Sequence, residues 1–405
     1  MVAIFINLIS IAFSIWVVYH YLKKENNIII YFFLLSLFFV IIPIFVDSIG
    51  INFLGQNYIQ IILNNNSEMY NINFLDSEIN LKFTLFVFGF NLLLFLSYKL
   101  FTYKLDGCKY SIKKQSFYSS FVYILLGLFS VILFFIHKNI DVFNSITIIL
   151  FNFFSIGYVI GIVPILRKKC YFQFIILFLP TLFFALTTGS RALFVSFFLI
   201  FFYSLLDDFE KNKHVLLRAI YIVGLILILI PLFNSFRKGS LSLSYPFWRD
   251  VCVGDGYFAF AGTFYHQFAN GIIRLIQTGL PYISESMNYY DITKQLADER
   301  FFIGWGSIHP TAYGWLFIDL QWYGILTAIY FALFISFIEY IKYFFRKYKI
   351  VSMLIAFELV FLIIFIRGSV QYAYSTVIYP IIIIFLLVLL YSFCNSKIIK
   401  TKFKN

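Results

Sequence analysis

The sequence predicts an all-α polytopic integral membrane protein of about eleven transmembrane helices, each needing roughly 20 apolar residues. Three observations predict it. The 405 residues are 61% hydrophobic and only 12% charged, with a mean hydropathy of +0.88; a soluble domain runs about 45–50% apolar and about 25% charged. Apolar runs of span length, or nearly so, recur between polar connections. The basic residues sort to alternate connections, as positive-inside placement requires. Together these exclude a soluble enzyme, a disordered chain and a nucleic-acid-binding protein.

Taken in order, the first run, 2–22, lacks the basic start and small-residue cleavage site of a signal peptide, and reads as a span. Further runs cover 28–46, 81–101, 117–136, 144–166, 171–187, 192–206, 219–233, 313–338, 351–366 and 377–394. The shorter ones are accommodated by tilt, kinking or extension into the interface. Their Phe, Ile and Leu serve as lipid-facing surface and core filler. The whole chain, 1–405, forms one membrane domain with two long connections, about 47–80 and about 234–312.

With the N-terminus outside and the C-terminus cytoplasmic, alternation puts 21 of the 31 basic residues inside and 10 outside. The opposite orientation would invert the positive-inside rule. Both long connections then face out. Residue type sharpens the picture. Eighteen of 22 lysines lie inside, but six of nine arginines lie outside: Arg191, Arg237, Arg249, Arg274, Arg300 and Arg367. Topology gives no reason for them there. Interfacial snorkelling or ion pairs with acids such as Asp250 and Asp298 is the plain reading. The functional one is an outward anionic substrate, because the planar arginine fork suits bidentate phosphate contacts that lysine cannot copy. Four cysteines show no metal-ligand spacing. Cys252 alone falls outside, so no intramolecular disulfide braces the outer connections.

No P-loop, His-Glu-x-x-His, Gly-x-Gly-x-x-Gly or Asp-x-Asp occurs, and Asp207, Asp208 and Glu210 read as a solvated face beside lysines. No metal or cofactor is expected. Four segments carry chemistry instead. Thr187-Thr188-Gly189-Ser190-Arg191-Ala192 joins two runs each too short to cross comfortably, which draws Arg191 toward the membrane from outside. An arginine at that depth needs a ligand or an acid, and Gly189 and Ser190 offer backbone N–H groups beside it. The stretch 257–278 has helical periodicity, with His266, Asn270, Arg274 and Gln277 on a polar row opposite an apolar face. It reads as an amphipathic helix on the outer membrane surface. Trp305-Gly306-Ser307-Ile308-His309-Pro310 stands where the large connection re-enters the membrane, and neutral imidazole is the commonest base near neutral pH. Arg367-Gly368-Ser369 closes the tenth run, with Tyr372 and Tyr374 placed to stack on sugars or to anchor at the interface.

Thr188–Ala192 opening an apolar helix, one large outer loop, and His309-x-x-x-Tyr313 running into Asp319-Leu320-Gln321-Trp322-Tyr323-Gly324 give the chain a family likeness. Over roughly 170–395 it resembles the bacterial O-antigen and oligosaccharide repeat-unit polymerases of the Wzy type, and their relatives the O-antigen ligases. The resemblance implies a multi-pass protein of the bacterial cytoplasmic membrane that takes an undecaprenyl-diphosphate-linked oligosaccharide as donor and a second lipid-linked unit as acceptor. It further implies membrane lipid and a chain-length regulator as partners, and no nucleotide sugar or metal. Arg191 carries over as a donor-phosphate ligand and His309 as the base, although Pro310 stands where the ligases have Asn. Arg237, Arg274 and Arg367 join the diphosphate set by side and depth alone. His266, Asn270 and Tyr372 are the glycan-binding candidates.

The chemistry is consistent without the family. A departing glycosyl diphosphate needs its negative charge stabilised, which arginines do without metal. Glycosidase chemistry would want two carboxylates about 5–10 Å apart, and Asp250, Asp255, Glu285 and Asp291 form no such pair in sequence. The rival class is a flippase for the same lipid-linked oligosaccharide. Such carriers usually show internal repeats and paired broken helices, and the N-terminal half holds no second copy of the region about 170–200.

Overall fold

Val2–Lys24 (α1) shows most directly what solvent this chain is built for. Its buried positions are Ala3, Asn7, Ser10, Ser14, Val17 and Tyr21, while Phe5, Leu8, Ile15, Trp16 and Tyr19 are exposed. The spacing alternates three and four residues, so one stripe faces the bundle. That stripe holds the small and polar residues, and the large apolar ones face out. A soluble helix does the reverse; helices in lipid pack through small side chains and buried polar ones.

The computed structural model describes residues 1–24, 28–65, 75–105, 249–261, 310–344, 358–359 and 361–366. The described residues form helices and turns, with no strand among them. Four helical stretches, 2–21, 28–53, 77–101 and 321–343, are long and apolar enough to cross a membrane. The expected spans at 117–136, 144–166, 171–187, 192–206, 219–233 and 377–394 lie outside the described residues.

The second span is one continuous helical path that changes pitch. Ile28–Ser36 (α2) passes through a π-helical turn, Leu37–Ile41, into Ile42–Phe53 (α3). Pro43 explains the turn. Proline has no N–H, and its ring would strike the carbonyl four residues back in a regular helix. Widening to the π register, with the Ile42 N–H on the Leu37 carbonyl, relieves that clash. The helix also runs past the expected boundary, so Asp47 lies inside it. Gly55 then takes a left-handed φ of 53° and turns the chain into Gln56–Asn65 (α4). Gly50 has no side chain to meet the Tyr58 ring, where a Cβ would come within 2.5 Å. The connection expected over about 47–80 is therefore largely helical where it is described.

Ser77–Phe101 (α5) begins at Asp76, whose carboxylate accepts from the Ser77 N–H at 2.6 Å. Α1 and α5 run the same way and the 28–53 helix runs opposite to them. Asn7, Ser48 and Thr84 therefore meet at one end, which the charge distribution assigns to the outside.

The apolar run 313–338 is two elements rather than one span. Thr311–Leu320 (α7) ends where Gln321 takes φ 50° and ψ −139°, and a 3-10 turn, Gln321–Leu326, leads into Thr327–Phe344 (α8). Gly324 packs against the Leu316 carbonyl, 2.7 Å from where a Cβ would stand, so the chain doubles back within eight residues. At about 1.5 Å per residue, the 10 residues of α7 are half a membrane's length. The crossing segment is 321–343. The 3-10 turn and α8 then pack along α5: Gly89 faces Ile325 of the turn, and the Tyr340 hydroxyl of α8 donates to the Phe101 carbonyl at 3.0 Å. Phe331 stacks on Phe361 and Phe365 of the helical stretch 361–366, at 5.6 and 4.0 Å between centroids.

Candidate functional site

Two stretches from the large connection are inserted into the bundle. A π-helical turn, Asp250–Gly254, continues into Asp255–Phe260 (α6), which packs on α5 and on α7. The closeness comes from small residues. At Gly314 a Cβ would lie 2.9 Å from the Pro310 side chain and 3.0 Å from that of Ala259, and at Gly256 one would strike the Phe83 ring at 2.7 Å. Phe260 fills the remaining space, stacked between Phe83 and Phe317 at 4.5 and 4.2 Å. Of the amphipathic helix expected over 257–278 only 257–261 is described, and Tyr257, Ala259 and Phe260 there are buried.

The anchor is ionic. Arg249, 4% exposed, donates from Nε to Asp47 Oδ2 at 2.9 Å, and Asp47 is wholly buried. The other carboxylate oxygen accepts from the Tyr58 hydroxyl at 2.5 Å. The guanidinium also lies 5.0 Å from the Tyr257 ring centroid, a cation–π distance. Asn80 donates to the Tyr257 hydroxyl at 2.9 Å and accepts from Ser48 at 2.7 Å; Asn7 donates to Ser48 at 3.0 Å and to Thr84 at 3.1 Å. Burial, with the Asp47 carboxylate behind it, holds the Tyr257 hydroxyl protonated well above the ordinary tyrosine range, and Arg249 only partly opposes this. Five helices thus share one polar network at the end assigned to the outside. This is the plain reading foreseen for an outer arginine, with a partner 202 residues away in place of a loop acid.

Deeper in the bundle, Ser36, Asn91 and Tyr313 close a ring. Tyr313 donates to Asn91 at 2.8 Å, Asn91 donates to Ser36 at 3.1 Å, and the Ser36 and Tyr313 oxygens stand 2.7 Å apart. Within the ring each group donates once and accepts once. Ser36 is also the residue before the π turn of the second span, which brings that turn, α5 and α7 to one point.

Backbone strain gathers on the same element. Thr311 has φ 67°, a left-handed conformation that a β-branched residue rarely adopts, and its hydroxyl accepts from the Gly314 N–H at 3.4 Å. Thr311 follows His309-Pro310. Both ends of α7, Thr311 and Gln321, are therefore at positive φ, and residues 310–318 are all buried. Broken helices persist within membranes only where protein covers them or a cavity receives them.

Of the residues nominated from sequence, His309, Arg191, Arg237, Arg274, Arg367, His266, Asn270 and Tyr372 all lie outside the described residues. Sequence reasoning took Tyr313 only as a letter of the family motif and passed over Asp47, Asn80, Asn91 and the buried trio of Glu339, Lys342 and Glu358. The last was legible as ionisable residues within or beside apolar runs, a functional signal by default. Among the described residues, no group of three His, Cys, Asp or Glu side chains is placed to hold a metal ion. No family model, no curated protein and no solved structure matches the chain.

Proposed function

We propose that the chain is a membrane glycosyltransferase. It joins undecaprenyl-diphosphate-linked oligosaccharide repeat units into an O-antigen- or capsule-like polysaccharide at the outer face of the bacterial cytoplasmic membrane, without metal. The observation that carries this reading is the arginine distribution, six of nine on the side where charge sorting predicts few. The Asp47 pairing accounts for Arg249 structurally and leaves five outer arginines, of which Arg191, Arg237, Arg274 and Arg367 form the diphosphate set and Arg300 is given no role.

The reaction then balances on this chain's own residues. His309 takes the proton of the acceptor hydroxyl as that oxygen bonds to the donor's anomeric carbon. The bond from that carbon to the diphosphate oxygen breaks, and the oxygen leaves with both electrons. The arginines stabilise the charge that develops there. His266, Asn270 and Tyr372 hold the glycan, and a chain-length regulator acts on the same assembly. The strained, buried α7 that follows His309 supports a positioned base, since strain of this kind clusters at functional sites.

One observation favours the rival reading, a flippase for the same lipid-linked oligosaccharide. The chain buries Glu339, Lys342 and Glu358 together, and ionisable residues within spans often mark transport pathways. Gel profiling of surface polysaccharide after gene deletion separates the two. Loss of a polymerase leaves single repeat units on the surface; loss of a flippase leaves none, and that outcome would reject the glycosyltransferase.

A further inference from the structure

We propose that Glu339, Lys342 and Glu358 form a buried proton-binding site, with the proton on Glu358, that ties α8 to the helical stretch carrying Glu358 at the end of the bundle opposite the Asp47–Arg249 network. Lys342 Nζ lies 2.7 Å from Glu339 Oε1 and 2.6 Å from Glu358 Oε2. The side chains are 2%, 6% and 4% exposed for Glu339, Lys342 and Glu358. Two carboxylates and one ammonium leave a net charge of −1 with almost no water to solvate it, and one bound proton makes the cluster neutral. Isolated charge in such surroundings is relieved by protonation rather than carried.

The hydrogen bonds say which carboxyl takes the proton. Glu339 Oε1 accepts from Lys342 and also stands 3.4 Å from the Ile28 N–H at the start of α2, so its negative charge is supported by two donors. Glu358 receives one, at Oε2, and its Oε1 is buried with no hydrogen-bond partner. An orphaned oxygen costs less on a neutral acid than on a carboxylate. Among the other titratable groups described at this end, Tyr340 donates to the Phe101 carbonyl, His20 stacks on Trp16 at 5.4 Å, Tyr21 and Tyr98 pack edge to face at 6.0 Å, Tyr31 is buried, Tyr343 is half-buried, and Lys99 and Tyr103 are exposed. Losing the proton would leave a net negative charge where almost no water reaches it, a cost relieved only by opening the contact between α8 and the Glu358 helix to water, so the cluster acts as a proton-operated latch between them. This inference does not depend on whether the chain polymerises or transports.

Infrared spectroscopy of the purified full chain in lipid reads the proton directly. At neutral pH the wild type should show the carbonyl stretch of a protonated carboxylic acid, shifted in heavy water. Glu358→Gln and Glu339→Gln should both lose it, because either leaves one carboxylate to match the one ammonium, but Glu339→Gln, which removes the ionised partner of Lys342, should also lower the melting temperature at neutral pH. The amide is a neutral match for the protonated acid, so Glu358→Gln should also keep the wild-type melting temperature and lose its fall at alkaline pH. No such band in the wild type would overturn the proposal. So would its survival in Glu358→Gln, or failure of that variant to fold, because a site holding a neutral acid should accept a neutral amide.

Discussion

Asp47 shows how a single side chain can hold two distant parts of this chain together. It binds Tyr58 through one oxygen and Arg249 through the other, joining the second span to the inserted end of the large connection. Truncating one partner leaves the other charge buried alone, which costs about 3–5 kcal/mol. Asp47→Asn and Arg249→Gln should therefore each lower the melting temperature of the purified protein sharply. The exchange Asp47→Arg with Arg249→Asp should recover part of the loss, and an exchange no better than the single variants would mean the pair is not a direct link. A different outcome is expected at the proposed chemical centre. Arg191→Lys keeps the charge but loses the fork, so polymer formation should fall severely while expression and melting hold. His309→Ala should abolish polymer with lipid-linked donor still bound. Normal chain lengths from either variant would remove that residue from the mechanism.

Between elements, α6 and α7 cross closely through Gly256, Ala259 and Gly314. No side chain larger than hydrogen fits at Gly314, where a Cβ would already stand 3.0 Å from that of Ala259. Gly314→Leu should separate the two helices and cost about 1–3 kcal/mol or more, the usual range for overpacking, read as a lower melting temperature. A leucine tolerated without loss would show that the two helices can move apart freely. Thr311 tests the strain. Asparagine tolerates its left-handed φ of 67° and keeps an acceptor for the Gly314 N–H. Thr311→Asn should therefore gain about 1 kcal/mol, the lower bound for relieving a residue of this kind. A gain in stability with a loss of polymer would tie the strain to function, whereas a loss of stability would show that the threonine is not strained.

Across the whole molecule, the orientation rests on charge placement, since the packing of α1, α5 and α8 gives the same contacts whichever end faces the cytoplasm. Cys252 is buried at 3% exposure and is a poor label for testing it. Leu54, between α3 and α4, and Tyr103, just beyond α5, are 51% and 75% exposed at opposite ends of the bundle. Leu54→Cys should react with a membrane-impermeant thiol reagent on intact cells, and Tyr103→Cys only after permeabilisation. The reverse pattern would invert the topology and put every proposed site residue on the wrong side of the membrane.

The sequence by itself determined the solvent and the position of the first three described spans. Phe, Ile and Leu in runs of crossing length cannot be reconciled with water, and this holds whatever the packing, because transfer into lipid is a property of each run alone. Hence α1, the 28–53 helix and α5 stand close to where periodicity and composition put them. Three things were decided only by tertiary structure. Hydropathy averages over a window and cannot register a reversal inside an apolar run, so the break at Gln321 went unread. Asp47 stands at the edge of a run and Arg249 in a polar connection, and no local pattern relates residues 202 positions apart. Asn7, Ser48 and Asn80 are separately unremarkable polar letters. They acquire meaning where helix packing brings them within 3.0 Å of one another's partners in lipid-excluded space, because a polar group there has no water to turn to and must find another.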